Sequence, residues 1–507
     1  MGDHDRSVPL AGSAHSMAAE EEASRQYHLS LLGSTHISDE LQDAKLAPIF
    51  TASLMKHCKV SQFGLLAGVS QVLNHSDPLM NDEQQQDPRL FFNITPPSST
   101  FICGSQGSGK SHTLSCMLES CLIPSKAGRL PNPLTAVVFH YDTFVSDQMG
   151  SPCEAAYLSS NPAVKVRVLC SPTNIQTMKK TYSRFSNVDI QPLEIDQGDL
   201  NTKRMLDLMA VDPQASAMPL YMHTIQRILR QMRISQQQSG AEFDYQEFKQ
   251  RLWDCGLSPG QMEPLKQRLD TLESFMPQAT AASTKKGRKH TQQNKGTNWE
   301  PKGSQLIIVD LSCPCISPET ACSLFNVCLS IFLEQDPNIG RVVALDEAHK
   351  YMNSSSEAEA FTSSLLASIR LQRHLGVRVI ISTQEPTIST ALLNLCSTTI
   401  VHRFTSPEWL RALNKHLAAA AYDSLTYKRG LKEEDECDIL GDDASPLFNQ
   451  IVRLKVGEAL LFSPTAIVDV QSCDDGSFRF RRLGDDYLTV RVRSRLTQDG
   501  GKSTLCL

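Results

Sequence analysis

The stretch STFICGSQGSGKSHTLSCMLESCL, residues 99–122, decides the fold. Phe101, Ile102 and Cys103 close a short apolar strand. Gly104-Ser105-Gln106-Gly107-Ser108-Gly109-Lys110-Ser111 then fits the spacing GxxxxGK[ST]. A helix-like run begins at His112. Glycines permit backbone conformations closed to other residues, so successive N–H groups can turn toward one point. Those donors, with the N-terminus of the following helix, form a cradle for phosphate oxygens. Lys110 is expected to reach the outer phosphates and Ser111 to ligate Mg²⁺. Residues 104–111 together with His112 are the expected ATP-binding set. An ordinary glycine-rich turn is the competing reading, and the strand before and helix after count against it.

Working outward, RVVALDEAHKYM (341–352) ends an apolar strand in Asp346-Glu347. The C-terminal ends of parallel strands are where α/β sheets place ligands. Asp346 is expected in the Mg²⁺ shell, and Glu347 is placed to polarise a water for attack on the γ-phosphate. The competing reading is a helix N-cap, for which an acidic pair is also suited. VRVIIST (377–383) leads into Gln384, which is expected to sense the γ-phosphate or orient water; a turn role before Pro386 competes. TAVVFHYD (135–142), VKVRVLC (164–170), QLIIVDL (305–311) and TTIVHRF (398–404) are further apolar strands, with helical stretches in the gaps. That alternation predicts an α/β fold with a mainly parallel sheet covered on both faces. Several strands lie between the loop at 104–111 and Asp346 in the chain, and at least one of them is expected to insert between the two site-bearing strands. Mg²⁺-dependent nucleotide hydrolysis is the function these residues give before any family is considered.

The rest of the chain divides by composition. Residues 1–45 lack a sustained period and read as a disordered segment, with a helix around 18–32. Residues 46–96 form a small accessory region, with PIFTASLMKH (48–57) and FGLLAGVSQVL (63–73) read as helical. Residues 97–203 hold the first part of the core and 204–280 a helical insertion. A basic flexible loop fills 281–303; its KKGRK run suits a nuclear signal, a phosphate patch or simply a solvated loop. Residues 304–507 complete the core and end in strands at EALLFSPTAIVDV (458–470) and YLTVRVRSRL (487–496).

The chain has 507 residues, 40% of them apolar, with 49 basic and 55 acidic side chains and a net charge of −6. That balance opposes a wholly basic nucleic-acid coat and leaves room for a local basic channel. No apolar run approaches a membrane span, and the N-terminus lacks the pattern of a secretory signal. Fifteen cysteines without a CxxC pair read as reduced thiols; a zinc site or redox pair is the competing reading. A soluble intracellular protein is expected, in cytoplasm or nucleus.

LDEAHKYM (345–352), SIRLQRHLGVRVIISTQEPTIST (368–390) and CSTTIVHRFTSPEWLRAL (396–413) together resemble the HerA-like branch of the HerA–FtsK superfamily of P-loop ATPases. GEALLFSPTAIV (457–468) and VRVRSRLTQDGG (490–501) are similar to that family's closing strand and tail. The resemblance implies a RecA-like core, a homo-oligomeric ring commonly of six subunits, ATP at subunit interfaces, and arginine fingers donated in trans. Arg373 is the first candidate finger, with Arg370 and Arg403 behind it; surface cations near a helix C-terminus are the alternative. The β-barrel usual before the core has only residues 46–96 available and is expected to be absent or altered. The leading function that the resemblance implies is an ATP-driven ring motor acting on nucleic acid, in DNA translocation or processing. The alternative is an ATP-dependent switch or scaffold that binds protein partners through the N-terminal segment. Loss of activity is opposed by the intact Lys110, Ser111, Asp346, Glu347 and Gln384.

Overall fold

The computed structural model describes residues 11–32, 37–71, 87–143, 150–208, 220–277, 296–417, 446–472 and 478–500. Among these residues, sixteen strands form one sheet. In chain order they are β1 (Ile49–Thr51), β2 (Phe63–Val69), β3 (Arg89–Asn93), β4 (Ser99–Cys103), β5 (Gly128–Arg129), β6 (Thr135–His140), β7 (Lys165–Cys170), β8 (Val188–Pro192), β9 (Gln305–Asp310), β10 (Arg341–Leu345), β11 (Val377–Thr383), β12 (Thr398–His402), β13 (Glu458–Phe462), β14 (Ile467–Ser472), β15 (Phe478–Arg482) and β16 (Leu488–Val492).

Eight of them, in the order β12-β4-β11-β10-β6-β9-β7-β8, are parallel throughout. Their residues alternate between two cores. Phe101, Val137, Phe139, Ile307, Val309, Val343 and Leu345 join one face. Ile102, Ala136, Val138, Leu306, Ile308, Val342 and Ala344 join the other. Because helices cover both faces, neither set meets water, and the strands read as unbroken apolar runs rather than alternating ones. The helices Pro318–Glu334 and Ser356–Arg370 and the insertion helices Leu220–Ser239, Tyr245–Trp253 and Pro259–Ser274 pack on the first face. The helix Lys110–Leu122 packs on the second.

Beyond β12 the sheet continues as β13-β16-β2-β3-β1-β14-β15, mostly antiparallel. N-terminal and C-terminal segments therefore share one lobe with a small aromatic core of Phe50, Phe91, Ile467 and Val470. The helical reading of 63–73 is corrected: Phe63–Val69 is a strand. Gly64 lies so close to Ser120 that a Cβ there would stand 2.5 Å from its side chain, so the small residue serves close packing against the helix Lys110–Leu122. Helices occupy Ala11–Leu32 and Ile37–Lys45. The KKGRK run lies outside the described residues. No helix among the described residues is long and apolar enough to cross a membrane. All twelve described cysteines are free thiols.

Candidate nucleotide site

The phosphate loop is a backbone construction. Gly104, Gly107 and Gly109 take φ values of 151°, 71° and 113°. At Gly104 a side chain is also excluded by contact, since a Cβ would stand 2.7 Å from that of His402. The loop is pinned from outside by the next strand: both the N–H and the hydroxyl of Ser105 donate to the Arg403 carbonyl at 2.9 Å. Gly457 N–H donates to the Ser108 carbonyl at 3.3 Å. Ser108 Oγ donates to the Ser105 carbonyl at 2.7 Å, and Lys110 Nζ to the same oxygen at 3.1 Å. Gln106 and Gly107 form the exposed crown, with Ser111 and His112 half-buried beneath it. Burial pushes the Lys110 ammonium pKa down, against the opposing pull of Glu347 and Asp346.

His402 was not anticipated from sequence. It is fully buried, and burial drives its pKa down to about 4, so the ring is neutral at physiological pH. Its Nδ1 lies 3.0 Å from the Glu458 carbonyl, which can only accept, so Nδ1 carries the proton. Nε2 is then the acceptor for the Thr113 hydroxyl at 2.9 Å. One imidazole thus ties β12, β13 and the phosphate-loop helix together. The polar residue at the end of the apolar run TTIVH is the sequence signal that marks it.

Asp346 and Glu347 follow β10 directly. Neither acts as a helix cap by side-chain hydrogen bonding: Glu347 is the residue before a single 3₁₀ turn, Ala348–Lys350, and has φ 49°. Left-handed backbone in a residue other than glycine costs free energy and is concentrated at functional sites. β11 lies between β4 and β10, pairing Cys103 with Thr383 and Leu345 with Ile381. An inserted strand is thus present, but the expectation that it comes from the strands between the loop and Asp346 is corrected: it is β11, from residues that follow Asp346 in the chain. Its position brings Gln384 onto Glu347, with Nε2 donating to Oε2 at 3.1 Å. Gln384 N–H donates to His349 Nδ1 at 3.3 Å, so that nitrogen is an acceptor and unprotonated. Burial also lowers the His349 pKa, and its 3.3 Å approach to Glu347 is therefore a contact of a neutral ring.

Asp346 is 2% exposed. Burial would raise its carboxyl pKa, but His140 and Lys350 outweigh that and hold it below the usual range. Its Oδ1 is buried with no hydrogen-bond partner among the described residues. An ionised carboxylate with a buried orphan oxygen, together with the Ser111 hydroxyl at the start of the phosphate-loop helix, is a donor set suited to Mg²⁺, a hard cation that takes oxygen ligands.

The arginines separate. Arg403 sits beside the loop and holds it through its main-chain carbonyl. Arg370 and Arg373 are exposed and form no ion pair among the described residues. They precede Val377, the first residue of β11, whereas the phosphate loop follows Cys103 of β4, which pairs with Thr383 at the other end of β11. Seven residues of strand span roughly 23 Å, so these two side chains do not meet the phosphate loop of their own chain.

No protein-family profile matches the chain, and no curated protein matches it. Solved structures that the chain resembles include VirB4 of Thermoanaerobacter pseudethanolicus, at 11% identity and a TM-score of 0.44, over 78% of this chain and 89% of that one. The plasmid coupling protein TrwB in complex with ADP and Mg²⁺ is similar at 11% identity and a TM-score of 0.42, over 87% and 96%. The genome packaging NTPase B204 from Sulfolobus turreted icosahedral virus 2, in complex with ATP-gammaS, is similar at 9% identity and a TM-score of 0.27, over 76% and 97%. At these distances no residue role transfers, and the strand order and loop geometry of this chain decide its class. The core is a RecA-like P-loop fold.

Proposed function

We propose that the chain is a Mg²⁺-dependent ATP hydrolase that works as a ring-forming motor of HerA–FtsK type on DNA. The observation that carries the hydrolase reading is the Gln384–Glu347 hydrogen bond, made at the strand tips beside the phosphate loop. An acidic side chain held by a polar partner, next to a lysine-bearing loop, is what activation of water for attack on a phosphoryl group requires. The loop N–H groups and Lys110 bind and orient the phosphates. Glu347 takes up a proton from the attacking water, and Gln384 keeps its carboxylate aimed. Ser111 and Asp346 would hold Mg²⁺, which when bound neutralises charge on the phosphate oxygens. Arg370 and Arg373, without an ion pair among the described residues and at the far end of the sheet, suit donation to the site of a second copy, which supports a ring. DNA as the substrate rests on the motif order after residue 340.

The test is ATP turnover with and without Mg²⁺, single- and double-stranded DNA, and RNA at low salt, beside a mass measurement with ATP. Mg²⁺-dependent turnover raised by DNA, with salt-sensitive binding, supports the motor. Turnover indifferent to nucleic acid at low salt removes the motor reading. ATP-dependent capture of a protein partner without nucleic acid then establishes the switch in its place. Absence of any ATP turnover overturns the hydrolase.

A further inference from the structure

His140, Cys153 and Asp346 meet in the buried floor of the core; in the hydrolase His140 serves only to hold Asp346 ionised, and Cys153 has no role. Their meeting follows from register. β6 and β10 are parallel neighbours with Phe139 opposite Leu345, so the next residues, His140 and Asp346, fall side by side at the strand ends. Cys153 enters from the residue before the 3₁₀ segment Glu154–Ser160. Its N–H donates to Tyr182 Oη at 3.0 Å, and that hydroxyl donates to Asp310 Oδ2 at 2.6 Å. Asp310 is in turn the register partner of His140 on β9. The three side chains are therefore held by a buried scaffold.

His140 Nδ1 lies 3.4 Å from Asp346 Oδ2, and Cys153 Sγ lies 3.7 Å from the same oxygen. All three ligand atoms fall within 4.8 Å of one another. Zinc bonds of about 2.0–2.3 Å to nitrogen, oxygen and sulfur give tetrahedral edges of about 3.3–3.6 Å. The two spacings to Asp346 Oδ2, 3.4 and 3.7 Å, approach those edges. His140 Nδ1 faces Asp346 as an ion-pair contact, while Nε2 is buried without a hydrogen-bond partner among the described residues, which a mere packing role leaves unexplained. A thiol and an imidazole in the set favour a borderline-soft ion over Mg²⁺ or Ca²⁺.

We propose that His140, Cys153 and Asp346 form a three-ligand site for Zn²⁺, with a fourth position open. Binding displaces the thiol proton of Cys153 and any proton on His140 to solvent. Zn²⁺ at Asp346 Oδ2 draws that carboxylate away from the Mg²⁺ site, so zinc inhibits turnover; this consequence, unlike binding itself, rests on the proposed hydrolase.

The experiment is titration of the metal-free full chain with Co²⁺, a spectroscopic stand-in for Zn²⁺. One equivalent is expected to give a thiolate-to-cobalt charge-transfer band that stoichiometric Zn²⁺ abolishes. Cys153→Ala should lose the band while keeping its unfolding transition, and His140→Asn should weaken Co²⁺ binding by more than about tenfold. No band in the wild-type chain, a band that survives Cys153→Ala, or unchanged affinity in His140→Asn each overturns the site. The two readings fail separately. A chain with the band and no ATP turnover keeps the zinc site and loses the hydrolase; turnover without the band does the reverse.

Discussion

Glu347 is held in a left-handed backbone conformation and hydrogen-bonded to a residue of the neighbouring strand. Such an arrangement costs stability and fixes one carboxylate in one direction. Glu347→Gln should leave ATP binding intact and lower turnover by at least ~10²-fold, measured by nucleotide binding and steady-state hydrolysis on the same preparation. Unchanged hydrolysis would remove its role as the water-activating group. Lys110→Ala should abolish nucleotide binding, and retained wild-type turnover would refute the phosphate loop as the site. His402 gives a prediction in pH. Its folded pKa, about 4, lies below the unfolded value of ~6.5, so above pH 6.5 neither state is charged and nothing is lost. As pH falls from 6.5 to 4 the unfolded chain gains the proton first, and stability drops by about 3 kcal/mol from this group alone. His402→Gln should flatten that part of the stability–pH curve, as urea unfolding between pH 4 and 7 would show. Equal slopes in the two proteins would remove the assignment.

The helix Lys110–Leu122 is governed at the scale of elements by a segment from the far end of the chain. Glu119 on that helix is fully buried. It is paired with Arg493 at 2.7 Å and Arg495 at 3.7 Å, and it accepts from the N–H groups of Leu496 and Thr497 at 3.0 Å. Arg493 also donates to the Leu65 carbonyl on β2 at 2.7 Å, and its own carbonyl lies 2.8 Å from His112 Nε2. The nucleotide helix is thus bound to both the C-terminal segment and the N-terminal lobe. Removing one partner of a buried pair leaves the others charged and unsolvated. Glu119→Ala should cost about 3–5 kcal/mol in denaturant unfolding. A loss below 1 kcal/mol would show that water or relaxation satisfies the two arginines.

Across the whole molecule, the parallel sheet sets the two candidate functions of arginine apart. Its C-terminal edge carries the phosphate loop, Asp346, Glu347 and Gln384, while Arg370 and Arg373 stand before the first residue of β11. Arg373→Ala should therefore retain nucleotide binding in the isolated chain and lose turnover by ~10³-fold or more in the assembly. Mixing Arg373→Ala with Lys110→Ala chains should restore part of the activity at hybrid interfaces. Failure of that rescue would count against donation between subunits.

Legibility followed burial. β4, β6, β7, β9, β10, β11 and β12 stood out in the sequence because strands buried on both faces become continuous apolar runs. β2 escaped because its glycines and half-buried positions carry no period, and β15, Phe-Arg-Phe-Arg-Arg, because an edge strand exposes every charged position. The phosphate loop, the acidic pair and Gln384 were legible because local spacing alone specifies a phosphate cradle and a strand tip. Local sequence could not choose β11 as the strand between β4 and β10, seat His140 and Cys153 on Asp346, or send Arg373 to the opposite edge. Those are matters of register between segments far apart in the chain, and register is fixed by which apolar faces pack together. Local spacing set the chemistry of the loop and the class of the sheet; packing between distant segments set which side chains face one another across it.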